Sequence, residues 1–208
     1  MKHSIEIITK DKIKSSKWSG GITNEIYIYP QGASYKERNF IWRISSATVE
    51  LEHSTFTYLK GVHRYITTLK GEMSLSHDKG PLIKLKPYEV HQFEGDVNTE
   101  SFGKVTDFNL MLANGTKGIL ESMPMIPNYN YNYDMPIDIL KIHEGKLKNC
   151  SLVFYTNKGD LEISVDDEKI LLNSEETCIV NFQISKEKPS INISSKVLQE
   201  ILISVIYV

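Results

Sequence analysis

Apolar and polar side chains alternate through most of this chain, and helical periodicity is scarce. A period of two puts successive side chains on opposite faces of an extended segment, so the pattern predicts strands. Residues 3–9 alternate loosely and are rich in Ile, which suits a first strand with a distant partner. Across residues 22–30, Ile22, Ile26 and Ile28 fall on one face and Thr23, Glu25, Tyr27 and Tyr29 on the other. Gly20 and Gly21 form a turn before that strand, and Pro30 ends it. In residues 40–49, Arg43 shares a face with Ser45 and Ala47, small side chains that leave space beside a guanidinium, while Trp42 and Ile44 point the other way into packing. Residues 105–112 alternate most cleanly, with Asp107, Asn109 and Met111 on one face and Phe108, Leu110 and Leu112 on the other.

The pattern changes at residues 122–136, where Pro124, Pro127 and Pro136 bracket an Asn/Tyr-rich run. This reads as a crossover between two halves, packed by its tyrosines. Beyond it, short β-type runs recur at residues 151–155, 161–165, 169–172, 178–182, 191–193 and 200–208, separated by turns such as those at 157–160 and 165–168. The last run, residues 201–208, is apolar enough to invite aggregation at an exposed edge, so it is expected in a sheet interior. The fold class that follows is all-β with little helix. The pattern divides the chain into a first half over residues 1–122, a crossover over 123–136 and a second half over 137–208.

Length supports either one large all-β domain or two small barrels, since 208 residues can bury a sizeable core without staples. Twenty-four Lys and Arg face 26 Asp and Glu, for a net charge of −2 with no long block of either sign. That balance argues against nucleic acid or an acidic membrane as partner. Cys150 and Cys178 are the only cysteines and lack CxxC spacing, so reduced thiols are expected rather than a disulfide framework or structural zinc. No run reaches the roughly 18 apolar residues of a spanning helix. Residues 1–8 show no leader pattern, and the expected location is the cytoplasm.

Candidate chemistry centres on residues 61–71, where Arg64 stands in a strand-like run seven residues before the turn residue Gly71. The spacing resembles the cupin pattern, in which a metal-binding glutamate holds that position and two histidines lie just upstream. Here the glutamate position is Arg64 and the upstream residues are Thr57, Tyr58, Leu59 and Lys60. In the second cupin pattern Pro87 is followed by Glu89 and Gln92, so the fourth ligand is missing as well. No metal or other cofactor is expected, and a site of this composition attracts an anion.

Several blocks are recognisable together: residues 18–23 (Trp-Ser-Gly-Gly-Ile-Thr), 42–47 (Trp-Arg-Ile-Ser-Ser-Ala), 54–57 with 61–64, 93–96, and 107–111 (Asp-Phe-Asn-Leu-Met). In this order they resemble the HutD/Ves family in its Gram-positive form, over most of residues 17–111. The second half resembles the family only in length and strand content. The resemblance implies a bicupin, two cupin-like β-barrels in one chain, associated with histidine utilisation. It implies a protein that is not an enzyme and senses a pathway intermediate such as formylglutamate or urocanate in the first barrel. The sequence departs from the family in having His63 where an acidic residue is common, and a shortened glycine segment after Trp18.

Arg43 and Arg64 are the main candidates, two guanidinium groups able to fork onto a small carboxylate or formyl oxygen. Structural pairing of either with Asp107 or Glu25 is the competing reading, since buried arginine is usually paired. Asn109 suits a ligand amide or a backbone group equally well. Thr23 and Glu25 fit a pocket wall or an exposed strand face, and Trp18 a pocket cap or core packing. His63 and His91 read as surface or hydrogen-bonded histidines, with no carboxylate spaced for a triad. The leading reading is a metal-free binding protein for a small anionic metabolite, a possible homodimer. The alternative is a cupin-fold hydrolase or isomerase using Glu25, Asp107 or a histidine as acid or base.

Overall fold

The computed structural model describes residues 3–113, 115–136, 147–184 and 188–208, and it is all-β as the alternation predicts. After β1 (His3–Ile8) and a 3-10 turn at Lys10–Lys12 come β2 (Lys14–Trp18), β3 (Gly21–Tyr29), β4 (Trp42–Val49), β5 (His53–Thr55) and β6 (Val62–Lys70). They are followed by β7 (Met73–His77), β8 (Ile83–Leu85), β9 (His91–Glu94), β10 (Thr99–Phe102) and β11 (Val105–Ala113). The remaining strands are β12 (Lys117–Met125), β13 (Asn130–Asn132), β14 (Asn149–Thr156), β15 (Leu161–Val165), β16 (Glu168–Leu172), β17 (Thr177–Gln183), β18 (Ile191–Ser195) and β19 (Gln199–Tyr207).

Two compact units result, one of Lys12–Thr116 and one of Met1–Asp11 with Lys117–Val208. This division departs from the one expected at 1–122, 123–136 and 137–208. β1 pairs with β17, from His3 opposite Phe182 to Ile8 opposite Thr177, so the first strand joins the C-terminal half. β12 pairs along its length with β19, and β13 pairs with β18. Much of the proline-bracketed stretch is therefore strand rather than crossover. Pro124 is tolerated because β12 is an edge strand, where a missing N–H breaks no central ladder. The expected boundary at residue 137 lies outside the described residues.

In the Lys12–Thr116 unit a six-stranded sheet, ordered β2-β3-β4-β11-β6-β9, faces a four-stranded one, β5-β10-β7-β8. Ile66 and Phe93 from the first sheet and Met73, Leu75 and Leu85 from the second share a core. A chain of hydrogen bonds ties β7 to β9 across the seam. The Thr99 hydroxyl donates to the Val97 carbonyl (3.2 Å) and lies 2.9 Å from His77 Nδ1, and His77 Nε2 is 2.9 Å from His91 Nε2. That chain assigns the Nδ1–H tautomer to His77, whose Nε2 accepts from His91.

In the other unit a sheet ordered β1-β17-β14-β19-β12 faces β13-β18-β15-β16. β19 lies between β14 and β12, the interior place its apolar run demands. Leu152, Phe154, Leu161, Ile163, Ile193 and Ile203 are fully buried in one cluster. Each such side chain contributes about 1.5–3 kcal/mol relative to exposure. All four sheets are open, ending on edge strands.

Candidate functional site

The six-stranded sheet sorts its inward side chains into rows set by register. One row runs Ile28, Arg43, Met111, Arg64 and Phe93 across β3, β4, β11, β6 and β9. The next runs Glu25, Ser45, Asn109 and Ile66, and the third Thr23, Ala47, Asp107 and Thr68. The alternation of β4 and β11 thus delivers Arg43, Asp107 and Asn109 to one face, as their sequence period predicts, and the pairing of β6 with β11 brings Arg64 to the same face.

β3 behaves differently. A bulge between Glu25 and Tyr27 inserts Ile26 into the strand, so the alternation reverses midway. Thr23 and Glu25 face inward, but Tyr27 and Tyr29 turn to the outer face, where both stack on Trp42 with ring centroids 5.0 and 5.8 Å apart. Ile28 comes inward instead of sharing a face with Ile22.

Trp18, Thr23, Arg43, Arg64, Asp107 and Asn109 line one cavity of about 340 Å³, within the size range of small-molecule sites. Glu25 meets it through Arg43. Residues 54–57 supply part of the wall, and Ser45 and Ala47 leave the floor low. Trp18 stands at the rim, 41% exposed. Its ring folds over Gly20, where a Cβ would lie 2.1 Å from a ring carbon.

The two arginines are held in different ways. Arg43 Nε donates to Glu25 Oε2 at 2.7 Å and Nη1 donates to Ser45 Oγ at 2.8 Å, while Tyr35 covers the guanidinium at 4.6 Å from its ring centre. Structural pairing therefore describes Arg43. Arg64 is only 3% exposed and packs on the neighbouring rings of Phe56 (4.6 Å) and Phe93 (5.1 Å), whose centres are 6.0 Å apart. Its buried Nε has no hydrogen-bond partner, and no carboxylate lies within 4.0 Å of its guanidinium among the described residues. Burial lowers the Arg64 pKa to about 10, with nearby Asp107 pulling the other way, so the group stays cationic at neutral pH.

Asp107 is buried too, its Oδ1 accepting the Ala47 N–H at 3.2 Å. Burial pushes its carboxyl up to about 7, against the pull of Arg64, the Ala47 N–H and Arg43. Asn109 Oδ1 is buried without a partner.

Gln92, which stands at the fourth cupin ligand position, is opposite Tyr65 and lies 3.4 Å from His63 Nε2, on the face away from the cavity. His63 also meets Glu94 at 2.7 Å on that face, and His91 is engaged with His77. Among the described residues no three His, Cys, Asp or Glu side chains come together so as to hold a metal ion. Sequence reasoning missed Tyr35, Phe56 and Ser16 as cavity residues. Tyr35 comes from a loop with no periodicity to read. Phe56 lay inside a recognised block but follows the short strand β5, where alternation has ended.

A family model described as HutD matches residues 10–126, more than half of the chain. No curated protein matches it by sequence. Similar solved structures include the conserved protein of unknown function PA5104 from Pseudomonas aeruginosa PAO1, at 18% identity, 98% of each chain and a TM-score of 0.75. HutD from Pseudomonas fluorescens SBW25, solved in a formate condition, aligns at 19% identity over 99% of this chain and 100% of its own, with a TM-score of 0.70. The bacterial pirin YhhW from Escherichia coli, in complex with nickel(II), aligns at 8% identity over 97% and 98%, with a TM-score of 0.63. At these identities the likeness establishes a shared all-β fold.

Proposed function

This chain belongs to the HutD family, and from that premise we propose that it binds a small carboxylate in the cavity of its Lys12–Thr116 unit, without a metal, as a sensor of histidine breakdown. The single observation that carries the reading is Arg64: a desolvated cation packed on two neighbouring rings, with an unpartnered Nε and, among the described residues, no carboxylate within 4.0 Å. Leaving such a donor unpaired is costly, and an incoming carboxylate removes that cost through charge-assisted hydrogen bonds. Arg43, already oriented by Glu25 and Ser45, offers a second guanidinium edge from the same row. Formylglutamate and urocanate are the pathway carboxylates this reading favours. We further read the chain as the Gram-positive form of HutD/Ves, and each unit as a cupin-like half of a bicupin.

Calorimetry with formate, formylglutamate and urocanate tests the proposal. The wild type takes up at least one of the three, and Arg64→Ala weakens it by about tenfold or more. Equal affinity in both proteins, or no heat with any of the three, overturns it.

One observation favours a second reading. Asp107 is a buried carboxyl whose pKa of about 7 suits acid–base work at neutral pH, which is what a hydrolase or isomerase on the same metabolites needs. Turnover that disappears in Asp107→Asn while binding persists would establish the enzyme over the sensor.

A further inference from the structure

We infer that Asp107 meets the bound anion as a neutral acid, donating a hydrogen bond to a ligand oxygen, so that each anion enters the cavity together with one proton. The inference rests on the anion-binding reading above and adds the proton that binding requires. Asp107 lines the cavity, and its Oδ1 accepts the Ala47 N–H at 3.2 Å. Its Oδ2 has no hydrogen-bond partner among the described residues and, unlike Arg64 Nε and Asn109 Oδ1, is not shut off from the hollow. A ligand therefore has a carboxyl oxygen to meet.

Charge decides the form in which that oxygen is met. Arg43 and Glu25 answer each other at 2.7 Å. What remains is Arg64 from β6 and Asp107 from β11, close enough that each shifts the other's pKa, yet not within 4.0 Å as an ion pair. With Asp107 ionised, an incoming carboxylate sets two anions against one free cation in a buried site, and neighbouring carboxylates in such sites do not both stay ionised. With Asp107 protonated the charges balance, and Oδ2 becomes a donor beside the guanidinium. The proton is within reach near neutral pH, because burial lifts the Asp107 carboxyl to about 7 against the pull of Arg64, the Ala47 N–H and Arg43. The other ionisable side chains in the cavity wall are Arg43, Arg64 and Tyr35; β2 and residues 54–57 contribute none. His77 and His91 stand outside that wall.

Formate and N-formylglutamate serve as probes, since ordinary carboxylates stay ionised from pH 6 to pH 8. Calorimetric titration into the intact protein at constant ionic strength is expected to show binding about tenfold weaker at pH 8 than at pH 6, because above about 7 the free protein has to regain the proton. At pH 8, titrations in two buffers of different ionisation enthalpy count close to one proton taken up per anion. Asp107→Asn, whose amide offers the same donor without ionising, holds its affinity within about twofold over that range. Infrared difference spectra at pH 8 give a reading that does not depend on the variant folding: the carbonyl band of a neutral carboxylic acid appears when the probe is added to wild type. An affinity that ignores pH, a pH dependence that survives in Asp107→Asn, or a missing acid band overturns the inference. If a probe binds equally at both pH values and Arg64→Ala still weakens it, the anion site stands and the coupled proton falls. Failure of both probes at pH 6 overturns the inference, and the anion site with it where urocanate fails as well.

Discussion

Asp107 couples stability to pH through a single side chain. Its carboxyl ionises at about 7 in the folded protein and near the usual 3.8 in the unfolded chain. Between those values the folded state holds a proton that the unfolded state has released, so stability falls as pH rises through the window and levels off above about 7. The contribution is fully present below pH 4. Asp107→Asn cannot ionise, and its stability relative to wild type therefore improves with pH, by about 1 kcal/mol or more between pH 5 and pH 8. Urea midpoints of both proteins at the two pH values measure this difference, and parallel pH profiles would remove Asp107 as its source. His77 and His91, whose pKa values burial lowers, act in the opposite sense, losing stability as pH falls below about 6.5. They are common to both proteins and cancel in the comparison.

Strand β3 shows how far the sequence carries an element. Period two placed Arg43, Asp107 and Asn109 on their common face, because the β4–β11 ladder runs without a break from Val49 opposite Val105 to Trp42 opposite Leu112. The same rule failed at Tyr27 and Tyr29, because a bulge is a matter of register with β4 and leaves no local mark around Ile26. Nor could the partner of β1 be read, since Ile5 pairs with Val180, far along the chain, and no local pattern names it. What anchors β3 upstream of the bulge is Gly21, at φ +152°, where a Cβ would lie 1.9 Å from the Thr48 carbonyl oxygen. Gly21→Ala has to push β3 away from β4 near the Thr23 and Ala47 pair. It is expected to cost about 2 kcal/mol or more, read as a lower urea midpoint, and to weaken ligand binding because Glu25 then holds Arg43 less firmly. An unchanged midpoint would show that the strand entry has slack.

At the scale of the whole molecule, the two units use similar strands for different ends. The inner faces of β14, β15 and β19 carry Leu152, Phe154, Leu161, Ile163, Ile201, Ile203 and Val205, all at 0% exposure in one apolar cluster. In the Lys12–Thr116 unit, Ser45, Ala47, Asp107 and Asn109 take up comparable inward positions and leave a cavity of about 340 Å³. Small side chains make the hollow, and buried charge keeps it from collapsing around an apolar filling. Titration with a carboxylate that binds is therefore expected to saturate at one molecule per chain, the site being in the hollow unit. Phe154→Ala supplies the matching test of the filled unit: it opens a void among large neighbours and should cost about 3–5 kcal/mol, the usual penalty for removing a buried ring. A stoichiometry of two, or a Phe154→Ala protein as stable as wild type, would mean that the second unit holds space for a ligand that its packed side chains do not show.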